Sequence, residues 1–142
     1  MNAFTAEMIG TLILVLLGDG VVANVVLKQS KGNGGGWIVV TAGWAFGVTV
    51  AVYCVNTFSG AHLNPAVTVG LAAIGKFSWA LVPGYVLAQV LGGILGARVL
   101  HGLLETLGPG RALSGVLKVQ VLHRDSRSLT QRHEVLLGVD LT

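Results

Sequence analysis

Hydrophobic positions in this chain gather into three long runs, separated by short stretches rich in glycine and polar residues. The first extends from about Phe4 to Leu27, closes at Lys28, and carries two charges, Glu7 and Asp19. The second, Trp37 to Thr57, has no charge, and the third, Trp79 to Ala97, has none before Arg98. A hydrocarbon core of ~30 Å is crossed by roughly 20 helical residues. The pattern therefore predicts three spanning helices at about 4–27, 37–57 and 79–100. Between the second and third, Asn64 to Gly75 is small and apolar with no proline after Pro65. As a helix it would be ~18 Å long, about half a membrane. Pro65 suits the first helical position, where its missing N–H costs nothing, and Asn64 suits the N-cap. The segment reads as a re-entrant half-helix over 64–75. Non-helical backbone at membrane depth persists only when buried in protein or lining a water-filled cavity, so the extended approach over residues 59–63 predicts a cavity.

Small residues recur every fourth position on two of the runs: Gly43, Gly47 and Ala51, then Ala88, Gly92 and Gly96. Such stripes let helix backbones approach closely in lipid. Composition agrees: of 142 residues, 53% are hydrophobic and 11% charged, against roughly 25% charged in soluble domains. The net charge of +3 has no basic stripe interleaved with aromatics behind it, so no nucleic-acid partner is expected. A single cysteine, Cys54, excludes an internal disulfide and reads as a small buried hydrophobe. Met1 to Glu7 lacks the basic start of a secretory signal, so the first run is expected to be retained. From about Leu100 the character changes. Gly108-Pro109-Gly110 breaks any helix, and residues 105–142 are expected to form a divergent tail without a further span.

Gly60-Ala61-His62-Leu63-Asn64-Pro65-Ala66-Val67-Thr68 resembles the first signature motif of the aquaporin/glycerol-facilitator (major intrinsic protein) channels. Ala6-Glu7-Met8-Ile9-Gly10-Thr11 resembles that family's first-helix motif. Trp44, twenty residues before Asn64, stands where glycerol facilitators place a filter tryptophan, and Ala88-Gln89 matches in the third run. Gly18-Asp19-Gly20-Val21-Val22-Ala23-Asn24 is similar to bacterial glycerol-facilitator variants. The resemblance covers roughly residues 1–100. It implies an all-α membrane protein, an aquaporin-like half-bundle of three transmembrane helices plus one re-entrant half-helix. It also implies a multi-pass protein of the bacterial plasma membrane that passively conducts glycerol, other small uncharged solutes and water while excluding protons. A homo-tetramer follows from the family if a complete channel forms. Family members are about twice this length, built from two inverted repeats. The second Asn-Pro-Ala and the filter arginine have no counterpart here, so a truncated, non-transporting fragment that associates with other helices is the alternative.

The resemblance assigns roles residue by residue. Asn64, Pro65 and Ala66 form the pore motif, and the Asn64 amide would donate to a permeating oxygen. The backbone carbonyls of Gly60, Ala61 and His62 would line the path as acceptors, with Val48 as an apolar wall. Trp44 would be the selectivity filter, although a tryptophan in a spanning helix can equally serve packing or the interface. Glu7 would brace the re-entrant loop, the plain alternative being an interfacial position near the terminus; Gln89 would share the bracing. Asp19 reads either as a vestibule residue or as interfacial exposure. His62 reads as backbone lining plus packing, with a titrating gate as the alternative. An enzyme built on Asp19, His62 or Glu7 would need a cluster at ligand spacing that the sequence lacks, so no enzymatic activity, metal or cofactor is expected. On orientation, Lys28 and Lys31 favour an inside first loop, while the resemblance implies that loop outside and the termini inside, and the family's arrangement is the one expected.

Overall fold

The computed structural model describes residues 1–107. Among these residues the structure is helical throughout: α1 (Ala3–Val26), α2 (Gly36–Ser59), α3 (Pro65–Ala73), a 3-10 turn (Trp79–Leu81) and α4 (Val82–Leu107). Three helices are long and apolar enough to cross a membrane, and α3 is the short fourth element. Asn2 caps α1, its side chain accepting the Thr5 N–H at 2.8 Å. The polar loop after α1 is tied back to that helix. The Asn33 amide donates to the Val25 carbonyl at 3.2 Å, and the Ser30 hydroxyl donates to the Leu27 carbonyl at 2.8 Å. α2 stops where Gly60 turns left-handed at φ 80°, a conformation open to glycine without steric cost.

Two bounds differ from the sequence expectation. The half-helix is shorter, Pro65–Ala73, because Gly75 at φ 73° ends it. α4 is longer, reaching Leu107 instead of about 100. Arg98 and Glu105 end the apolar run but not the helix, since Arg and Glu are residues of good helical propensity and leave the backbone bonds intact. The expected tail thus begins in helix, and its remainder, 108–142, lies outside the described residues.

α1 lies between α2 and α4. It runs antiparallel to α2, with Gly10 beside Val55 and Gly18 beside Trp44, and parallel to α4, with Met8 beside Gly92 and Leu12 beside Gly96. Both small-residue stripes fall on these seams. A Cβ on Gly92 would run into the Met8 carbonyl, and one on Gly96 would stand 2.7 Å from the Leu12 carbonyl oxygen. Those separations are too close for any side chain, so the backbones of α1 and α4 touch. Ala6, Ala51, Val55 and Leu63 form the apolar core.

The distribution of polarity is inverted relative to a water-soluble protein. Trp37, Ile38, Phe46 and Tyr53 are exposed, while Glu7, Thr11, Ser59, Thr68 and Gln89 are buried. Cys54 is exposed, contrary to its reading as a buried hydrophobe. Its position beside Tyr53 puts it on the part of α2 turned away from α1, whereas Ala51 and Val55 occupy the seam.

Candidate functional site

The buried polar residues converge on one carboxylate. Glu7 is fully buried within the protein, at 0% exposure. Its Oε1 accepts the Ser59 hydroxyl at 2.6 Å and the His62 N–H at 3.0 Å. Its Oε2 accepts the Leu63 N–H at 2.8 Å and Gln89 Nε2 at 2.7 Å. A carboxylate offers about four lone-pair sites, and four donors fill them. The donors come from the end of α2, from the re-entrant loop and from α4. One side chain of α1 therefore fixes three other parts of the fold.

The loop it holds is strained. Ala61 and Leu63 adopt φ values of 49° and 51°, a left-handed region uncommon for residues with a Cβ. That geometry turns successive N–H groups of His62 and Leu63 toward the single acceptor Glu7 and leaves their carbonyls elsewhere. The Ser59 hydroxyl, besides donating to Glu7, accepts the Ala61 N–H at 3.1 Å. Tyr85 on α4 donates its hydroxyl to the Ser59 carbonyl at 2.9 Å. The carbonyls of Gly60, Ala61 and His62 accept no turn or loop bond among the described residues.

Asn64 then starts α3. Its Oδ1 accepts the Ala66 N–H at 2.8 Å, the capping geometry expected of it. With the oxygen turned inward, the Nδ2 group points away, without a partner among the described residues, and Asn64, Pro65 and Ala66 are all exposed. Ten residues separate Trp79 from Gln89, or ~15 Å of helix. That is half of a ~30 Å hydrocarbon core. Trp79 is the type of residue that favours the membrane interface; with Trp79 at that interface, the Glu7–Gln89 pair would stand about half a span from it.

The structure brings Glu7, Gly60, Ala61, His62, Asn64 and Gln89 together. Trp44 and Val48 lie elsewhere, further along α2. Trp44 is half-buried with its ring over Gly18, where a Cβ would come within 2.5 Å of Cζ3, and Val48 is exposed. Asp19 is half-buried one position beyond that contact, without a hydrogen bond or ion pair among the described residues. Four participants carried no assigned role in the sequence reading: Ser59, Thr68, Phe77 and Tyr85. Thr68 is fully buried and bonds to Asn64, His62 and Gln89. Phe77 and Tyr85 pack on the His62 ring at centroid distances of 4.7 and 5.0 Å. Spacing alone could have found two of them. Thr68 is one turn beyond Asn64 on α3, and Tyr85 is one turn before Gln89 on α4, on the buried stripe that continues through Gly92 and Gly96.

Comparison with known proteins places these features in a family. The family profile described as "Major intrinsic protein" matches residues 1–137. A "Probable glycerol uptake facilitator protein" of Thermotoga maritima is 56% identical over 101 residues, covering 71% of this chain and 43% of that protein. A "Glycerol uptake facilitator protein" of Bacillus subtilis is 50% identical over 101 residues, covering 71% of this chain and 37% of that protein. The X-ray structure of the aquaglyceroporin from Plasmodium falciparum superposes with a TM-score of 0.67 at 36% identity, covering 73% of this chain and 42% of that one. The chain spans about two fifths of the length of the curated relatives it matches.

Proposed function

The chain belongs to the major intrinsic protein family, and on that premise we propose that its described residues build one wall of a passive transmembrane path for glycerol and water. The observation that carries this reading is the start of α3. There the Asn64 amide and three carbonyls, without partners among the described residues, stand on exposed or half-exposed backbone, which this reading sets at about mid-membrane depth. Groups of this kind have no place against lipid. Facing a path, the amide donates to a solute oxygen and the carbonyls accept from its hydroxyls. Together they replace hydration that would otherwise cost several kcal/mol to strip. The names of the relatives, which are glycerol facilitators and aquaglyceroporins, support glycerol as the solute.

Proton exclusion follows from the same element. The N-terminus of a helix carries roughly half a positive charge, and at a constriction it repels cations and protons. Trp44 is the solute-selecting residue in this reading, with the indole face against the carbon backbone of a polyol and Gly18 as its seat. Val48, exposed one turn further along α2, supplies apolar wall. The setting is the plasma membrane, in a homo-oligomeric assembly.

A second reading is favoured by two facts: the chain covers 43% of the Thermotoga relative, and Asn64, Pro65 and Ala66 are exposed among the described residues. In that reading these residues hold the loop ready but conduct only when another helical unit closes the path. Proteoliposomes test both. Glycerol efflux is measured with the chain alone and with the chain co-reconstituted with the remaining C-terminal portion of the Thermotoga relative. Flux in both preparations supports the channel reading, and flux in the second alone supports the dependent unit. Efflux no faster than from empty liposomes in both rejects the proposed function.

A further inference from the structure

The Thr68 hydroxyl is a junction that the signature motif leaves without a role. It lies at 0% exposure on the first turns of α3, and three groups surround it. Gln89 Nε2 donates to its oxygen at 3.0 Å, the Asn64 carbonyl is 3.2 Å away as its acceptor, and His62 Nδ1 is 3.1 Å away. The orientation of Gln89 is fixed by its other bond, because the group 2.7 Å from Glu7 Oε2 must be the NH₂. Both Gln89 N–H donors are therefore committed, one to Glu7 and one to Thr68. A threonine hydroxyl has one proton and two lone pairs. The proton goes to the carbonyl one turn back, the usual bond of a helical threonine. One lone pair receives Gln89. The remaining lone pair can only accept.

We propose that Thr68 is a positioning residue that fixes His62 as the Nδ1–H tautomer. The imidazole donates from Nδ1 into the last lone pair of Thr68, and its Nε2 is left as a bare acceptor. Packing holds the ring in this register. Phe77 meets it edge-on and Tyr85 tilts against it, so the ring cannot turn over and carry Nδ1 away from Thr68. The Cδ2–Nε2 edge lies alongside Gly60, 3.8 Å from where a Cβ would stand, on the exposed approach to Asn64. The consequence is a chemical sign: the imidazole edge beside the approach accepts and does not donate, like the carbonyls on either side of it. The chain of bonds Glu7–Gln89–Thr68–His62 carries that choice from the buried carboxylate to the loop.

The test is nitrogen NMR on the full chain in lipid bilayers with ¹⁵N-labelled histidine rings, at alkaline pH where imidazoles are neutral. The His62 signals are assigned by their disappearance in His62→Gln. The expected result is a protonated Nδ1 and a bare Nε2 in the native chain. Thr68→Ser retains that pattern, and Thr68→Val loses it in favour of the Nε2–H tautomer. A native His62 protonated on Nε2, or an unchanged pattern in a folded Thr68→Val, overturns the proposal. Should Thr68→Val fail to fold, the native and Thr68→Ser spectra still decide it. The measurement requires no solute flux, so its outcome is independent of the channel reading.

Discussion

Replacing Glu7 by glutamine isolates what the carboxylate contributes, because shape and volume are preserved while one acceptor oxygen becomes a donor. Two orientations are open to the new amide. With its nitrogen at the Oε2 position it faces the Leu63 N–H and Gln89 Nε2, now 2.8 and 2.7 Å from a donor. Gln89 can respond by turning its amide over, since its Oε1 is buried without a partner, although it then withdraws its donor from Thr68. Leu63 is backbone and has no such freedom. With the nitrogen at the Oε1 position, the Ser59 hydroxyl can rotate to accept, but the His62 N–H is stranded. Either way at least one buried backbone donor loses its acceptor, a cost of about 1–3 kcal/mol. Glu7→Ala strands all four donors, or about 4–12 kcal/mol on the same scale, comparable with the whole stability of roughly 5–15 kcal/mol typical of a folded domain. Reversible unfolding of the chain in mixed micelles by a denaturing detergent measures the difference. Hydrogen exchange at His62 and Leu63 locates it. Glu7→Gln should lower the unfolding free energy within that range and accelerate exchange at one of the two amides. Stability within ~0.5 kcal/mol of the native chain, with both amides equally protected, would refute the idea that Glu7 holds the loop.

Other perturbations separate the parts of the structure. Asn64→Ala removes the cap on Ala66 and should cost about 0.5–2 kcal/mol in the same unfolding assay, with glycerol efflux reduced in proteoliposomes that conduct. Gly92→Ala places a methyl against the Met8 carbonyl and should destabilise by about 1–3 kcal/mol through overpacking; an unaltered unfolding midpoint would mean that α1 and α4 are not in backbone contact. Tyr85→Phe keeps the ring against His62 but deletes the bond to the Ser59 carbonyl, a loss of about 0.5–1.5 kcal/mol. Gly18→Ala should displace the Trp44 ring, read as a shift in tryptophan emission when Trp37 and Trp79 are replaced by phenylalanine.

The elements themselves were legible because lipid imposes simple requirements: apolar length sets a span, and Asn-Pro before a short apolar stretch sets a half-helix. Glu7 and Gln89 were legible as bracing groups through resemblance to a family, and their burial and shared bond bear on that reading directly. The individual hydrogen bonds were not legible. Nothing in the order of residues 59–63 states that Ala61 and Leu63 turn left-handed, yet that turn is what aims two consecutive N–H groups at one carboxylate. Thr68 and Tyr85 escaped notice because each is unremarkable alone and acquires a partner only when α3 and α4 pack. Cys54 was misread because burial of small residues was inferred from residue type, whereas a helix with lipid on one side leaves such residues outside.

The convergence on Glu7 also has a meaning in time. Its last donor, Gln89, follows it by 82 positions, and the loop donors follow by 55 and 56. At synthesis rates of about 5–20 residues per second, Glu7 is added to the chain roughly 4–16 s before Gln89. For that interval α1 enters the membrane carrying a polar group with no mate of its own. Until α4 arrives, something in the insertion machinery or at the water boundary must shelter it, so α4 locks in place a bond whose acceptor was committed at the outset of synthesis.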